Sequence, residues 1–130
     1  MKKFVSILAI LFCVSLFVGC GASKLSSNYS EDKLKSASEK VITNLNNGKY
    51  KDVINIGSDE LKKQLPEAKL KEAFEGVKNK VGKYESIEKM SFQEKDGVAV
   101  VIAIAKYENG KVQFTLSYDK DMKLVGIYIK

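Results

Sequence analysis

The chain has 130 residues with a net charge of +6 at pH 7; its basic residues are 22 lysines, and Arg, His and Trp are absent. This length allows one domain with a modest core. Without His the chain lacks the usual general base near neutral pH and the commonest metal ligand. Two cysteines, Cys13 and Cys20, are too few for a disulfide framework or a thiolate metal site. We therefore expect a protein that is not an enzyme and that holds no cofactor or metal.

The first twenty residues have the layout of a bacterial lipoprotein export signal. Lys2 and Lys3 precede an apolar run over residues 4–18, and small Gly19 stands immediately before Cys20. A basic start, a short apolar segment and a small residue at the cleavage point are typical of a signal peptide. Because this run is shorter than the roughly 20 residues that span a bilayer as a helix, we predict cleavage between Gly19 and Cys20 rather than a retained membrane span.

Residues 1–19 are therefore predicted to be a signal peptide, and Cys20 is predicted to carry a diacylglyceryl group and fatty acid. Several acyl chains give a stable anchor, so we expect the protein on the extracytoplasmic face of the cell membrane. Loss of Lys2 and Lys3 leaves 20 lysines against 16 acidic residues, a net charge of +4. Scattered lysines without Arg or interleaved aromatic residues argue against a nucleic-acid partner.

Residues 20–30 are predicted to be the lipidated cysteine and a flexible tether, because residues 21–29 are small, polar and without periodicity. A single domain follows over residues 31–130. Ser30, with two acidic residues after it, predicts a helix N-terminus, and Asn46-Asn47-Gly48 predicts the end of that helix. Apolar residues at helical spacing support it: Leu34, Ala37, Val41 and Leu45.

Three shorter helical segments are predicted before Gly82. Tyr50 begins the first, and Ser58 is the N-cap of the second, which carries Leu61 and Leu65. Pro66 starts the third, and Gly82 is its natural C-terminal stop. The apolar stripe of this last helix is regular: Leu70, Ala73, Phe74, Val77 and Val81.

After Gly82 the apolar period changes to two, and Asp96-Gly97 and Asn109-Gly110 are tight-turn signals. Four strands are predicted, over residues 84–93, 98–107, 111–118 and 123–129. Helices followed by an antiparallel meander predict an α+β fold, with the helices on one face of a curved four-stranded sheet. A bulge or bend is expected between Ser86 and Lys89, because Glu88 would point into the core of an unbroken strand.

The second strand is apolar on both faces, so its neighbours must decide which face is buried. Two-residue turns at Asp96-Gly97 and Asn109-Gly110 place large residues on the side of Ala99, Val101, Ala103 and Ala105. The expected partners are Phe92 with Val101, Met90 with Ala103, Phe114 with Ala105, Leu116 with Ala103 and Tyr118 with Val101. A four-residue turn from Asp119 to Met122 would add Val125, Ile127 and Ile129 to this predicted core face.

The opposite face carries an aliphatic stripe with a polar surround. Strand propensity alone could select such residues; alternatively the stripe binds a second copy of the chain, as a homodimer, or an envelope protein partner. We refer to the stripe as the outer row: Val98, Val100, Ile102 and Ile104.

The residues of the domain also resemble a known family. Leu45-Asn46-Asn47-Gly48-Lys49-Tyr50, then Leu61, Leu70 and Phe74, Gly82, Asp119 and Leu124-Val125-Gly126-Ile127-Tyr128 are similar to domain of unknown function family 3887. The resemblance covers about residues 31–130 and implies a cystatin-like, nuclear transport factor 2-like cone of helices on a curved sheet. Such domains occur on secreted and lipid-anchored bacterial proteins. No catalytic signature comes with the resemblance.

The leading functional hypothesis is a non-catalytic binding or protein-interaction module. Two alternatives stay open. One is a small-ligand carrier with a cone cavity, for which Tyr50, Phe74, Tyr84 and Tyr118 are the candidate pocket residues. The other is an enzyme that pairs Tyr84 or Tyr118 with Glu85 or Glu88 for acid/base chemistry.

Overall fold

The computed structural model describes residues 25–130, so Cys13, Gly19, Cys20 and the predicted signal peptide lie outside the described residues. Four helices come first: α1 Glu31–Asn46, α2 Tyr50–Asn55, α3 Asp59–Gln64 and α4 Glu67–Val81. Four strands follow: β1 Tyr84–Lys95, β2 Val98–Tyr107, β3 Gly110–Tyr118 and β4 Leu124–Ile129. This order confirms the predicted α+β fold.

The helix ends are fixed by local capping. Ser30 Oγ accepts a hydrogen bond from the Lys33 amide at 3.3 Å, and Ser58 Oγ accepts one from the Leu61 amide at 3.2 Å. Both serines are N-caps, as predicted, because their oxygens satisfy amides that have no partner within the helix. Gly82 ends α4 with a φ of +81°, a conformation that residues with a Cβ rarely adopt.

The sheet is an antiparallel meander in the order β1-β2-β3-β4. Ala99, Val101, Ala103 and Ala105 on β2 are completely buried, which confirms the predicted core face. Small residues on this central strand leave room for large side chains from the neighbouring strands and helices. The most deeply buried large residues are Leu34, Ile42, Leu45, Leu70, Phe74, Tyr107, Phe114, Leu116, Tyr118 and Leu124.

The first hairpin has the predicted register. Asp96 (φ +54°) and Gly97 (φ +80°) form its turn, and Phe92 pairs with Val101. Two successive residues with positive φ are the mark of a type I′ turn, whose twist matches that of the strands. Register shifts between Tyr84 and Ser86 and between Ile87 and Lys89 confirm the bulged region, and they leave Glu88 exposed.

The second hairpin has the predicted core face but a different register. Its turn residues are Glu108 and Asn109, and Gly110 already pairs with Tyr107. The partners predicted for three residues of β3 are therefore wrong by two positions: Phe114 pairs with Ala103, Leu116 with Val101 and Tyr118 with Ala99. A slip of two preserves the face of every side chain, because side chains alternate with a period of two.

Tertiary hydrogen bonds explain this register. The amide of Glu108 donates to the Lys83 carbonyl, and the amide of Asn109 donates to the Val81 carbonyl, each at 2.8 Å. These bonds hold the turn against the connection between α4 and β1. The position of a turn that is hydrogen-bonded in this way depends on its tertiary partners more than on the local Asn-Gly signal.

The third connection corrects the prediction for Val125. A register shift between Ser117 and Tyr118 pairs Tyr118 with Leu124, so Leu124 is completely buried and Val125 is only half-buried. Ile127 and Ile129 pack against the core as predicted. The physical reason is the bulge, because one extra residue in a strand changes the face of those on one side of it.

The two edges of the sheet differ. At the start of β4, the Leu124 amide donates to the Ile56 carbonyl and the Ser58 amide donates to the Leu124 carbonyl, both at 2.9 Å. The connection between α2 and α3 therefore covers this point, where Gly57 forms a parallel bridge with Leu124. The other edge is β1, which pairs only with β2 and is interrupted by its bulges.

Residues 25–29 differ from the predicted flexible tether, because they are packed on the domain. Tyr29 is buried, and its hydroxyl donates to the Gly97 carbonyl at 2.6 Å. The Ser26 amide donates to Glu94 Oε1 at 2.9 Å, and Leu25 packs against the core. An apolar Leu and an aromatic ring with a polar tip supply binding energy that a run of Gly and Ser lacks.

Candidate functional site

The exposed face of the sheet is the candidate functional site, and it is produced by the alternation of β2. Val98, Val100, Ile102 and Ile104 point away from the helices and are each half-buried. Their intervening neighbours on β2 fill the core, so the strand is apolar on both sides. The structure therefore brings all four predicted interface residues onto one face as a continuous row.

Small polar residues flank the outer row on both sides. On β1, Ser91 pairs with Ile102 and Gln93 with Val100. On β3, Thr115 pairs with Ile102, Ser117 with Val100 and Gln113 with Ile104. None of these side chains carries a charge, whereas Lys89 pairs with Ile104 and Lys95 with Val98 at the two ends of the row. The middle of the outer face is thus a neutral surface with an aliphatic centre.

Beyond β3, the outer face continues onto β4. Tyr128 pairs with Thr115 and Gly126 with Ser117. Tyr128 is 62% exposed, the largest exposed fraction of any large hydrophobic residue within residues 25–130. A tyrosine that shows most of its ring to solvent beside an aliphatic row is typical of a protein-binding surface.

Charged pairs lie at the end of the sheet formed by the second hairpin. Lys106 Nζ is 3.7 Å from Glu85 Oε1, and Lys111 Nζ is 2.9 Å from Glu88 Oε1. All four side chains are at least one-third exposed, so each pair contributes about 0–1 kcal/mol. Glu85 and Glu88 thus pair with lysines across the sheet, which is not the tyrosine pairing that an acid/base site would need.

Three of the predicted pocket residues are packing elements of the core. The rings of Tyr50 and Phe74 meet edge to face with centroids 6.4 Å apart, and those of Phe74 and Phe114 are 6.1 Å apart. Tyr50, Phe74 and Tyr118 are at most 3% exposed. Aromatic contacts at these distances stabilise a filled interior. The structure therefore places these three residues in the packing of the core, and their role in a ligand pocket stays a prediction.

Tyr84 lies elsewhere, on the first bulged segment of β1. Its ring contacts that of Tyr107 edge to face, with centroids 5.5 Å apart. Burial raises the pKa of Tyr84, and the charge of Glu39 adds to this effect. Tyr84 therefore packs on Tyr107 at the end of the sheet formed by the second hairpin, and its place in a ligand pocket stays a prediction.

A surface groove between α1 and β1 was not predicted from the sequence. It has a volume of about 360 Å³, with Ile87, Met90 and Phe92 of β1 on its apolar side and Glu31, Lys35 and Glu39 of α1 opposite, beside Glu88 and Lys89. A second hollow of about 490 Å³ adjoins it, lined by Leu25, Tyr29, Glu31 and Phe92. Apolar Leu25 and Tyr29 within the predicted tether were the sequence signal for this region.

Within residues 25–130, no group of His, Cys, Asp and Glu side chains could hold a metal ion. In the same part of the chain, no helix has the length and apolar character needed to span a membrane. Gly19 and Cys20, the predicted cleavage and lipid-attachment residues, lie outside the described residues. The two candidate surfaces described within residues 25–130 are the outer face and the α1–β1 groove.

Comparison with known proteins identifies the fold and the family. The chain is similar to the NMR structure of a protein from Ruminococcus gnavus ATCC 29149, with a TM-score of 0.68, 22% identity, and coverage of 82% of this chain and 96% of that one. Comparison with curated proteins found no match. Residues 38–127 match the family described as protein of unknown function DUF3887. Since this match spans most of the domain, the chain belongs to the DUF3887 family.

Proposed function

We propose that this protein is a lipid-anchored, extracytoplasmic interaction module, and that the outer face of its sheet binds a protein partner. The observation that carries the proposal is the outer row on β2. Four aliphatic side chains lie side by side on a sheet face that no helix of the described chain covers. Contiguous exposed apolar surface on a small soluble domain commonly marks an interaction site.

The composition of this face fits a protein partner. The aliphatic centre is flanked by hydroxyl and amide side chains, with Tyr128 at one side. Interfaces combine an apolar centre with a polar rim and are enriched in tyrosine. The charged residues of this face stand toward the ends of the strands, where they would form the rim.

The interior supports a non-catalytic role over a carrier or an enzyme. Tyr118, the most central candidate for acid/base chemistry, bonds to Ser38 and not to a carboxylate. Burial raises its pKa to about 12, so the phenol is protonated at neutral pH. Tyr50 and Phe74 fill space against each other and Phe114, which leaves their rings in contact with protein.

The anchor is tested by mass spectrometry of the protein isolated from membranes of the producing bacterium. We expect Cys20 as the first residue, carrying a diacylglyceryl group, because the segment before it has the layout of a signal peptide. The Cys20→Ser variant should retain the first nineteen residues and lack lipid. Wild-type protein that keeps those residues, or an unmodified thiol, would contradict the anchor.

The interaction surface is tested by a photo-crosslinking residue placed at Val100 in full-length protein in intact cells. The same probe at Glu72, an exposed residue of α4, is the matched control. We expect a discrete protein adduct from position 100 that is absent from position 72 and is lost when Ile104→Lys is added. Because Ile104 lies on the solvent side of the sheet and outside the core, this lysine should leave the fold intact. Equal adducts from both positions would contradict the surface.

A further inference from the structure

We propose that the partner bound by the outer face is a second copy of this chain, with the two sheets packed face to face. This inference rests on the proposed function, because it identifies the partner of the same surface. Three properties of the outer face favour a second copy as the partner: its charge, its symmetry and its position relative to the membrane anchor.

Charge favours contact between copies at this face. The chain after the predicted cleavage has a net charge of +4, so most approaches of two copies oppose like charges. The two central rows of the outer face are neutral: Gln93, Val100 and Ser117 form one, and Ser91, Ile102 and Thr115 the next. Lys95 and Lys89 stand at the two ends of the outer row, opposite Val98 and Ile104. Two identical surfaces meet without like-charge repulsion where neither bears a charge.

The pattern is also self-complementary. Stacked sheets lie about 10 Å apart with their strands roughly aligned. A two-fold axis parallel to the strands, running between β2 and β3, places β2 of one copy over β3 of the other. The outer row of each copy then meets Ser117, Thr115 and Gln113 of the second copy, and the two aliphatic rows lie side by side at the centre.

Attachment of both copies to one membrane favours an axis parallel to the strands over an axis perpendicular to them. Leu25 and Ser26 lie beside Phe92 and Glu94, at the end of the sheet that carries the Asp96-Gly97 turn. Leu25 is only five positions after Cys20, a reach of about 17 Å. That end must therefore stay near the bilayer. An axis parallel to the strands places both anchors on the same membrane, whereas a perpendicular axis places them at opposite ends.

The area of the face explains why the anchor matters. Four strands about 4.8 Å apart and seven residues of about 3.3 Å each give a footprint of roughly 440 Å² per copy. A stable dimer in solution commonly buries about 800 Å² per partner. The face is therefore sized for a weak dimer, and confinement to one membrane raises the effective concentration of its partner.

The test uses full-length Val98→Cys protein in membranes of the producing cells and a short bis-maleimide. The introduced thiol is the only free one expected in the mature protein, because Cys20 is lipidated. Both copies of residue 98 lie near the two-fold axis, so we expect a crosslinked homodimer. Glu72→Cys should give none, and adding Ile104→Lys to Val98→Cys should abolish the product. Dilution of the protein into detergent micelles should lower the crosslinked fraction at least about tenfold.

The outcomes separate this inference from the proposed function. Crosslinking between co-expressed Val98→Cys and Ile104→Cys copies, without the Val98→Cys homodimer, would overturn the shared-membrane arrangement. A Val98→Cys adduct with a different protein would overturn the second copy as partner and leave the interaction surface intact. Absence of any adduct from Val98→Cys and from the probe at Val100 would overturn both.

Discussion

Ser38 Oγ and the hydroxyl oxygen of Tyr118 lie 3.0 Å apart at the centre of the core, where they join α1 to the last residue of β3. Both side chains are completely buried. A buried hydroxyl without a hydrogen-bond partner is costly. This pair therefore satisfies two polar groups at once and fixes the position of the first helix over the sheet.

Removal of both members of this pair should destabilise the fold less than the two single removals added together. We expect Tyr118→Phe and Ser38→Ala each to lower the free energy of unfolding by about 1–3 kcal/mol, because each leaves one buried hydroxyl unsatisfied. The double variant should cost less than the sum of the two. Urea unfolding measures all three, with exposed Tyr128→Phe as control, and strict additivity would show that the hydroxyls do not interact.

Alkaline pH should weaken the fold through two buried tyrosines. Burial raises the pKa of Tyr107 and of Tyr118 to about 12, against 10.0 for a free phenol; the hydrogen bonds that these tyrosines form with Asn46 and Ser38 oppose this shift only in part. The folded state holds these protons more tightly than the unfolded chain. Their contribution is therefore fully present below pH 10 and is lost as the pH rises from 10 to 12, by about 2–3 kcal/mol each.

Urea unfolding at a series of pH values measures this loss, and ultraviolet absorbance of tyrosinate shows when the phenols ionise. Tyr107→Phe should remove part of the pH dependence and leave the part due to Tyr118. A free energy of unfolding that stays constant from pH 10 to 12 would contradict the assignment.

The Tyr29 hydroxyl should hold the N-terminal segment on the sheet. It donates to the Gly97 carbonyl at 2.6 Å, and its ring lies in the core cluster. We expect Tyr29→Phe to cost about 1 kcal/mol, for the hydrogen bond, and Tyr29→Ala about 3–5 kcal/mol, for the ring as well. Hydrogen exchange should show residues 25–29 released in Tyr29→Ala, whereas unchanged protection there would mean that the ring does not anchor the segment.

Alanine substitutions at Gly82, which follows α4, and at Gly76, which lies within α4, should have opposite effects on stability. Gly82 has φ +81°, and a Cβ there would lie 2.7 Å from Glu108 Oε1 and 3.1 Å from Asn109 Nδ2. We expect Gly82→Ala to destabilise the fold by about 1–3 kcal/mol. Gly76 lies within α4, and a Cβ added to it would meet no atom within 4 Å, so Gly76→Ala should stabilise the fold by about 0.5–1 kcal/mol. Equal effects in thermal unfolding would contradict this reasoning.

The buried face of the sheet could be predicted because local signals agreed. Asp96-Gly97 fixed the first hairpin through the positive φ values that these residues tolerate, and small Ala99, Ala103 and Ala105 marked the side that large neighbours fill. The face of each residue depends only on a period of two. The predicted face was therefore correct despite a register error of two positions at the second turn.

The register of the second hairpin could not be read from the sequence, because its determinant is tertiary. The amides of Glu108 and Asn109 donate to the carbonyls of Lys83 and Val81, which lie outside the hairpin where α4 connects to β1. No local sequence pattern indicates such partners. The bulge before Tyr118 is a similar case, since it exchanges Val125 for Leu124 in the core.

Only the part of the candidate site that depends on local alternation could be predicted from the sequence. The outer row follows from the alternation of β2, which strand periodicity specifies. Tyr50, Phe74 and Tyr118 carry polar or bulky groups typical of either a pocket or a core, and only their mutual packing distinguishes the two. The α1–β1 groove depends on how the polar face of α1 lies beside Ile87, Met90 and Phe92 of β1, which is a tertiary arrangement that no local pattern specifies.

The unequal edges of the sheet have a consequence for assembly. Growth of an open-ended fibre by strand addition needs two unpaired edge strands on every copy, so that each copy pairs with one neighbour at each edge of its sheet. Here Leu124 is already bonded on both its amide and carbonyl sides by Ile56 and Ser58, and the opposite margin is broken by two bulges. Association through backbone ladders is thus obstructed, so a high local concentration of the protein does not by itself seed fibres.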